Sequence, residues 1–143
     1  MDIKIKRADV SDSNALYFLS KKLYDTDCAD EDLIVDFLRN NKCGITFIAY
    51  ASGIPAGYVS GGIYREIGCK IIEAEIKVLF VDDAYRRYGV ATKLLFELEK
   101  IFDNENVSII NIYTSVNNQA AQAFYSSCGY DGKTRMIYRK IKA

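Results

Sequence analysis

The sequence predicts an α/β domain built on a mixed sheet. Two observations carry that expectation. Strand-like apolar runs and segments of helical periodicity follow one another in the order β-α-α-β-β-β-α-β-α-β. The chain is also of single-domain size: 143 residues, 50% hydrophobic and 27% charged, with no repeat, low-complexity stretch or linker, so 1–143 is taken as one domain.

Each element has its own signal. Residues Ile3 to Arg7 alternate apolar and polar, as an edge-type strand does. Ser11 or Asp12 is placed to cap a helix carrying Leu16, Leu19 and Leu23 on one face. A second helix is expected over Glu31 to Asn40, with Leu33, Ile34, Phe37 and Leu38 facing inward. Ser52-Gly53-Ile54-Pro55 holds the only proline and turns a strand at Ile45 to Ala51 into a second at Ala56 to Tyr64. From Lys70 to Val81 a long strand is expected, with Ile72, Ala74, Ile76, Val78 and Phe80 on one parity and Glu73, Glu75 and Lys77 on the other. Val90, Leu94, Leu95, Leu98 and Ile101 give the run from Gly89 to Phe102 a helical stripe. Val107 to Thr114 is rich in β-formers, Asn118 to Cys128 is helical in character, and Tyr130 to Ile141 is expected to be a final strand.

Composition excludes several classes. Lys plus Arg, at 19, equals Asp plus Glu, at 19, which is not the charge of a nucleic-acid binder. No apolar run approaches the roughly 18 residues of a membrane span, so no membrane partner is expected. The stretch from Met1 to Lys6 lacks the apolar core of a secretory signal, which makes the cytoplasm the expected location. Cys28, Cys43, Cys69 and Cys128 are scattered and form no Cys-x-x-Cys pair, the pattern of reduced thiols. With no histidine, the chain cannot supply Ser-His-Asp or Cys-His machinery or His metal ligands, and no metal is expected.

Two segments carry chemistry. In Val81-Asp82-Asp83-Ala84-Tyr85-Arg86-Arg87-Tyr88-Gly89-Val90-Ala91-Thr92 a strand ends, a loop turns and an amphipathic helix begins. The first turn of a helix has unpaired N–H groups and a positive dipole end, both suited to phosphate. Gly89 and Ala91 allow close approach to the backbone, Arg86 and Arg87 add charge, and Thr92 adds a hydroxyl. A plain strand–helix turn with solvated arginines is the alternative. The second segment, Asn118-Gln119-Ala120-Ala121-Gln122-Ala123-Phe124-Tyr125-Ser126-Ser127-Cys128-Gly129-Tyr130, offers Asn118 as an N-cap, Ala121 and Tyr125 on one face, and Gly129 as the left-handed residue that ends a helix.

The pattern Arg86-x-x-Gly89-x-Ala91 resembles the coenzyme A loop of the GNAT superfamily of N-acetyltransferases, Gln/Arg-x-x-Gly-x-Gly/Ala. Asn118, Ala121, Tyr125, Gly129 and Tyr130 fall in register with that family's Asn-x-x-Ala-x-x-x-Tyr-x-x-x-Gly-Phe. Cys128 departs from the large aliphatic residue usual there. The order of elements also resembles the GNAT fold over essentially the whole chain. The resemblance implies a mostly antiparallel sheet of six to seven strands flanked by about four helices, with acetyl-CoA as cosubstrate. It implies that the loop amides from Arg86 through Tyr88 and Gly89 to Val90 and Thr92 bind the pyrophosphate. The strand end at Leu79, Phe80 and Val81 would pair with the pantetheine arm, Asn118 would hydrogen-bond that arm, and Phe124 would pack on the cofactor. Homodimerisation is implied by family analogy alone.

Acetyl transfer to an amine needs a base, because an alkylamine with a pKa near 10 is protonated at neutral pH. Glu75, eleven residues before Arg86, matches the position of the general base in several GNAT members. Glu73 on the same side of the strand and a water chain are the other candidates, and a solvated Glu75 paired with Lys77 is the structural alternative. Backbone N–H groups near Leu79 to Val81 would stabilise the oxyanion, freed by a bulge the family carries. Tyr125 resembles the family's general acid, protonating the departing thiolate in a ternary complex. For the acceptor, six acids and no Lys or Arg between Asp25 and Leu38 suit a cation such as a polyamine, an aminoglycoside or a peptide amine. Helix-start acids are the plainer explanation. Tyr58, Tyr64 and Tyr113 are candidate walls of the acceptor pocket. The competing classes are a GNAT-like acyl-CoA sensor without catalysis and an unrelated α/β protein with an anion site at a helix end.

Overall fold

The computed structural model describes residues 1–24, 28–133 and 135–142. They fall into two compact units, Met1–Tyr113 and Thr114–Ala143. In the first, strands β1 (Ile3–Arg7), β2 (Gly44–Ala51), β3 (Ile54–Arg65), β4 (Ile72–Val81) and β5 (Ile109–Ile112) form one sheet in the order β1-β2-β3-β4-β5. The first four pair antiparallel, and β5 joins β4 in parallel after the crossover helix α3 (Val90–Asn104). Helices α1 (Ser13–Leu23) and α2 (Glu31–Asn40) lie between β1 and β2 in the chain. The second unit carries α4 (Gln119–Ser127).

The apolar patterns explain the layers. Leu94, Leu98 and Phe102 of α3 are fully buried where it packs on β2, β3 and β4. Truncating one such leucine costs about 2–5 kcal/mol. On the opposite face Leu16 and Leu19 of α1 meet Ile48 and Tyr58, with Leu23, Ile34, Leu38, Val78 and Phe80 around them. The β2–β3 hairpin closes through Ser52 and Gly53, at φ 48° and 84°, between the paired Ala51 and Ile54.

Four expectations are corrected. First, the even parity of β4 is not continuous. Ser60 faces Val78 but Gly61 faces Ile76, so Lys77 is an extra, bulged residue. Ala74 and Ile76 therefore lie on the α3 side, whereas Val78 and Phe80 join the α1 cluster, the side that Glu73 and Glu75 also face. Second, the sheet among the described residues has five strands, not six to seven, and no strand is assigned in 131–133 or 135–142. Met136, Ile137, Tyr138 and Ile141 are exposed there; apolar residues make a strand only where a ladder and a burying face receive them. Third, Leu33 is 65% exposed rather than turned inward. Fourth, neither Ser11 nor Asp12 caps α1 with its side chain. Asp9 instead caps a 3-10 turn at Val10–Asp12, its carboxylate accepting the Ser11 N–H at 2.8 Å. The Asp12 carboxylate returns to the Asp9 N–H and takes the Tyr50 hydroxyl at 2.6 Å and the Lys6 ammonium at 2.9 Å.

Candidate functional site

The site begins where β4 loses a neighbour. β5 pairs with Glu73 through Ile76 and stops at Ile112, so among the described residues 77–81 pair with β3 alone. Alternate N–H groups of Leu79, Phe80 and Val81 then face an open edge. The chain leaves β4 through a 3-10 turn at Asp83–Tyr85. Arg86 folds back, its Nε donating to the Val81 carbonyl at 3.1 Å and its Nη1 pairing with Asp83 at 2.8 Å.

Arg87 and Gly89 both adopt left-handed backbone, at φ 70° and 75°. Two such residues curl the loop so that α3 starts abruptly at Val90, whose buried side chain anchors the first turn. The first helical bond runs from the Lys93 N–H to the Gly89 carbonyl at 3.0 Å, so the amides of Val90, Ala91 and Thr92 precede any intrahelical acceptor. Among the described residues no side chain caps them, and no acid stands in the first turn. α2 contrasts with this: Asp30 accepts the Leu33 N–H, and Glu31 and Asp32 follow. A Cβ at Gly89 would meet nothing within 4 Å. Arg87, Tyr88 and Thr92 are exposed around that space. Uncapped amides, open room above the glycine and adjacent arginines fit a diphosphate.

Glu75 lies on the other side of the bulge. Its Oε1 accepts the Tyr113 hydroxyl at 2.8 Å and its Oε2 meets the Lys77 ammonium at 2.9 Å. The same ammonium sits 4.4 Å above the Tyr113 ring. The Lys77 pKa is raised, chiefly by its hydrogen bond to Glu75. Opposite Glu75 stands Gly62, where a Cβ would lie 2.7 Å from the Cys43 carbonyl oxygen and 3.3 Å from the Tyr64 hydroxyl. The missing side chain lets Tyr64 fold over the strand beside Glu75. Phe37 of α2 covers the neighbouring Gly44, 2.4 Å from where its Cβ would be.

Tyr64 and Tyr113 thus gather around Glu75, and Tyr58 does not. Tyr58 is buried, 3.3 Å from the Ser20 hydroxyl and packed against Phe80, and burial pushes its pKa to about 12. Sequence reasoning missed Phe37, Gly62 and the pairing of Lys77 with a ring; the adjacent glycines inside a strand were the available signal. Of the six acids, Asp30 is a helix cap and Asp36 accepts from Asn40 at 2.7 Å. Asp25 and Asp27 lie outside the described residues.

In the second unit Asn118 caps α4, its Oδ1 accepting the Ala121 N–H at 3.1 Å. Phe124 and Tyr125 stack edge to face at 5.8 Å. Burial, with a smaller contribution from Cys128, raises the Tyr125 pKa above its ordinary value. Gly129, at φ 94°, ends the helix, and the Tyr130 N–H returns to the Tyr125 carbonyl at 3.0 Å.

Known structures share this architecture. An aminoglycoside N-acetyltransferase, AAC(6')-Iy, in complex with CoA is 20% identical with a TM-score of 0.83, covering 99% of this chain and 96% of that one. An aminoglycoside acetyltransferase from an uncultured soil metagenomic sample, in complex with sisomicin, is 18% identical with a TM-score of 0.82, covering 98% and 97%. A ribosomal-protein-alanine N-acetyltransferase from Brucella melitensis biovar Abortus 2308 is 13% identical with a TM-score of 0.84, covering 99% and 100%. At these identities the likeness shows the fold. No described helix is long and apolar enough to cross a membrane. The family model for the Acetyltransferase (GNAT) family matches residues 10–130, from the turn before α1 to the residue after the α4 terminus, and the chain belongs to that family.

Proposed function

We propose that residues 1–143 work as one cytoplasmic catalytic domain that transfers the acetyl group of acetyl-CoA to a primary amine by direct attack in a ternary complex. The observation that carries this reading is the uncapped start of α3, with Gly89 left-handed and open, directly after a strand whose edge has been released. The amides of Val90, Ala91 and Thr92 and the charges of Arg86 and Arg87 would hold the diphosphate, with Tyr88 beside it. The open edge from Leu79 to Val81 would take the pantetheine amides and offer an N–H to the oxyanion. Bound acetyl-CoA supplies the electrophilic thioester.

Glu75 is assigned as the base: it removes the proton that the acceptor amine must lose, directly or through water. Glu73 is the alternative. Tyr125 is assigned the proton that leaves with the thiol, on the strength of its place in the Asn118–Tyr130 motif, and Asn118 and Phe124 are assigned to the cofactor on the same ground. The carboxylate and the two phenols at Glu75, Tyr64 and Tyr113 favour a cationic acceptor: a polyamine, an aminoglycoside, or a protein or peptide amine. A thiol-release assay with acetyl-CoA across those amine classes tests the reading. Turnover with a cationic amine is the expected result. Tight acetyl-CoA binding without turnover on any amine would make the chain an acyl-CoA sensor, and no coenzyme A binding at all would overturn the proposal.

A further inference from the structure

Resting on that reading, we infer that the Lys77 ammonium occupies the place an acceptor's ammonium takes, so that cationic acceptors bind by displacing it from Glu75 and the Tyr113 ring. Lys77 is the bulged residue of β4 and has no residue opposite it on β3. Its ammonium makes the two contacts by which a protein recognises an alkylammonium ion: 2.9 Å to a carboxylate oxygen and 4.4 Å over an aromatic ring. The Tyr113 hydroxyl donates to the second carboxylate oxygen and fixes the angle between the carboxylate and the ring. Tyr64, folded over Gly62, is a second phenol near the same charge.

The two partners differ in how firmly they are held. The Glu75 side chain is 24% exposed, whereas that of Lys77 is 55% exposed. The carboxylate is therefore set in the fold, and the ammonium is half in water on a flexible four-carbon stem. Ion pairs this exposed are weak, so Lys77 reduces the apparent affinity of a competing cation by only about 1.5- to 5-fold. The ammonium that replaces Lys77 then sits on the assigned base, gives its proton to Glu75 directly or through water, and becomes the neutral nucleophile. A neutral acceptor gains nothing from the exchange.

The test is equilibrium binding of 1,5-diaminopentane to the full chain, followed by NMR titration in the absence of acetyl-CoA. Lys77→Met keeps the hydrocarbon stem and removes the charge. It should tighten diamine binding by about 1.5- to 5-fold, and Lys77→Arg should restore wild-type affinity. Glu75→Gln should weaken binding in either background. Lys77→Gln is the second variant should the methionine disturb folding, with far-UV circular dichroism as the check. Unchanged or weaker diamine binding in a folded, uncharged Lys77 variant would overturn the inference. Because acetyl-CoA is left out, a failure of acetyl transfer and a failure of this exchange are read separately.

Discussion

Substituting Gly89 separates the cost of its backbone from the cost of obstructing a ligand. The residue sits at φ 75°, and an added Cβ would have no neighbour within 4 Å. Alanine therefore incurs only left-handed strain, about 1–2 kcal/mol, with no packing clash at its Cβ, and β-branched valine incurs more. For a chain of this size that lowers Tm by roughly 2–8 °C. Asparagine tolerates the same backbone better, so Gly89→Asn should cost less stability than Gly89→Val. Binding is expected to behave differently. If the amides of Val90, Ala91 and Thr92 hold a diphosphate, a Cβ at position 89 enters the space the phosphate needs. Losing two hydrogen bonds to charged oxygen, at about 1.5–3 kcal/mol each, weakens binding by about 10²- to 10⁴-fold. All three variants should thus lose coenzyme A affinity in calorimetry, whereas their Tm values should diverge. Normal coenzyme A affinity in folded Gly89→Val would refute the assignment of the loop.

Three further outcomes are expected. Glu75→Gln keeps the shape and removes the proposed base, and should lower kcat by about 10²–10⁴ while coenzyme A affinity holds; a kcat within the range of wild type would return the role to Glu73 or to water. Tyr125→Phe should lower turnover with little change in acetyl-CoA affinity. Since burial raises the Tyr125 pKa above 10.0, the phenol stays protonated throughout neutral pH and the defect should persist from neutral to mildly alkaline pH; full turnover at every pH would remove Tyr125 from the mechanism. Asp12 is pushed up by burial, but the Tyr50 hydroxyl, the Asp9 N–H and Lys6 together outweigh this and hold its pKa below 3.8. A carboxylate depressed on folding stabilises the protein above its unfolded pKa, and that stability is lost as pH falls through the folded value. Asp12→Asn should therefore cost about 1–3 kcal/mol near pH 7 in urea unfolding, with the gap to wild type closing in acid; a gap independent of pH would contradict the network.

The elements that follow from local rules were legible in the sequence. The α3 stripe, the Asn118 cap, the Gly129 terminus and the hairpin at Gly53 depend on residues within a few positions of one another, and each is present in the structure. What escaped were choices made between strands. Alternation along Lys70–Val81 cannot reveal that Lys77 has no partner, because that is a property of how β3 meets β4. A trace of it stands in Gly61, where a Cβ would lie 2.4 Å from the Glu75 carbonyl oxygen, a crowding only glycine accommodates. The C-terminal run failed for the complementary reason. Tyr138 and Met136 have strand character, but character alone supplies no ladder. At the candidate site, the loop glycine and arginines could be read directly, whereas the grouping of Tyr113, Lys77 and Tyr64 around Glu75 needed the register of three strands.

One inserted residue links these levels. Were Lys77 an ordinary paired residue of the ladder, the parity that buries Ala74 and Ile76 against α3 would run on through Val78 and Phe80, and α1 would face Leu79 instead. With the insertion, Val78 and Phe80 turn to the α1 side and close the core around Tyr58 and Leu19. Glu75, which precedes the bulge, keeps its face, so carboxylate and core residues end on the same side of the sheet. The added twist of a bulge also carries β4 away from its parallel neighbour, and pairing with β5 ends at Ile76, one residue before Lys77. The released edge, the orientation of the carboxylate and the ammonium that neutralises it therefore share a cause. A bulge costs ladder hydrogen bonds, and a fold selected for stability alone would gain by closing it. Its position, between the carboxylate and the strand end that leads into the open amides of α3, suits the proposed reaction, in which a base works on one side and main-chain donors on the other.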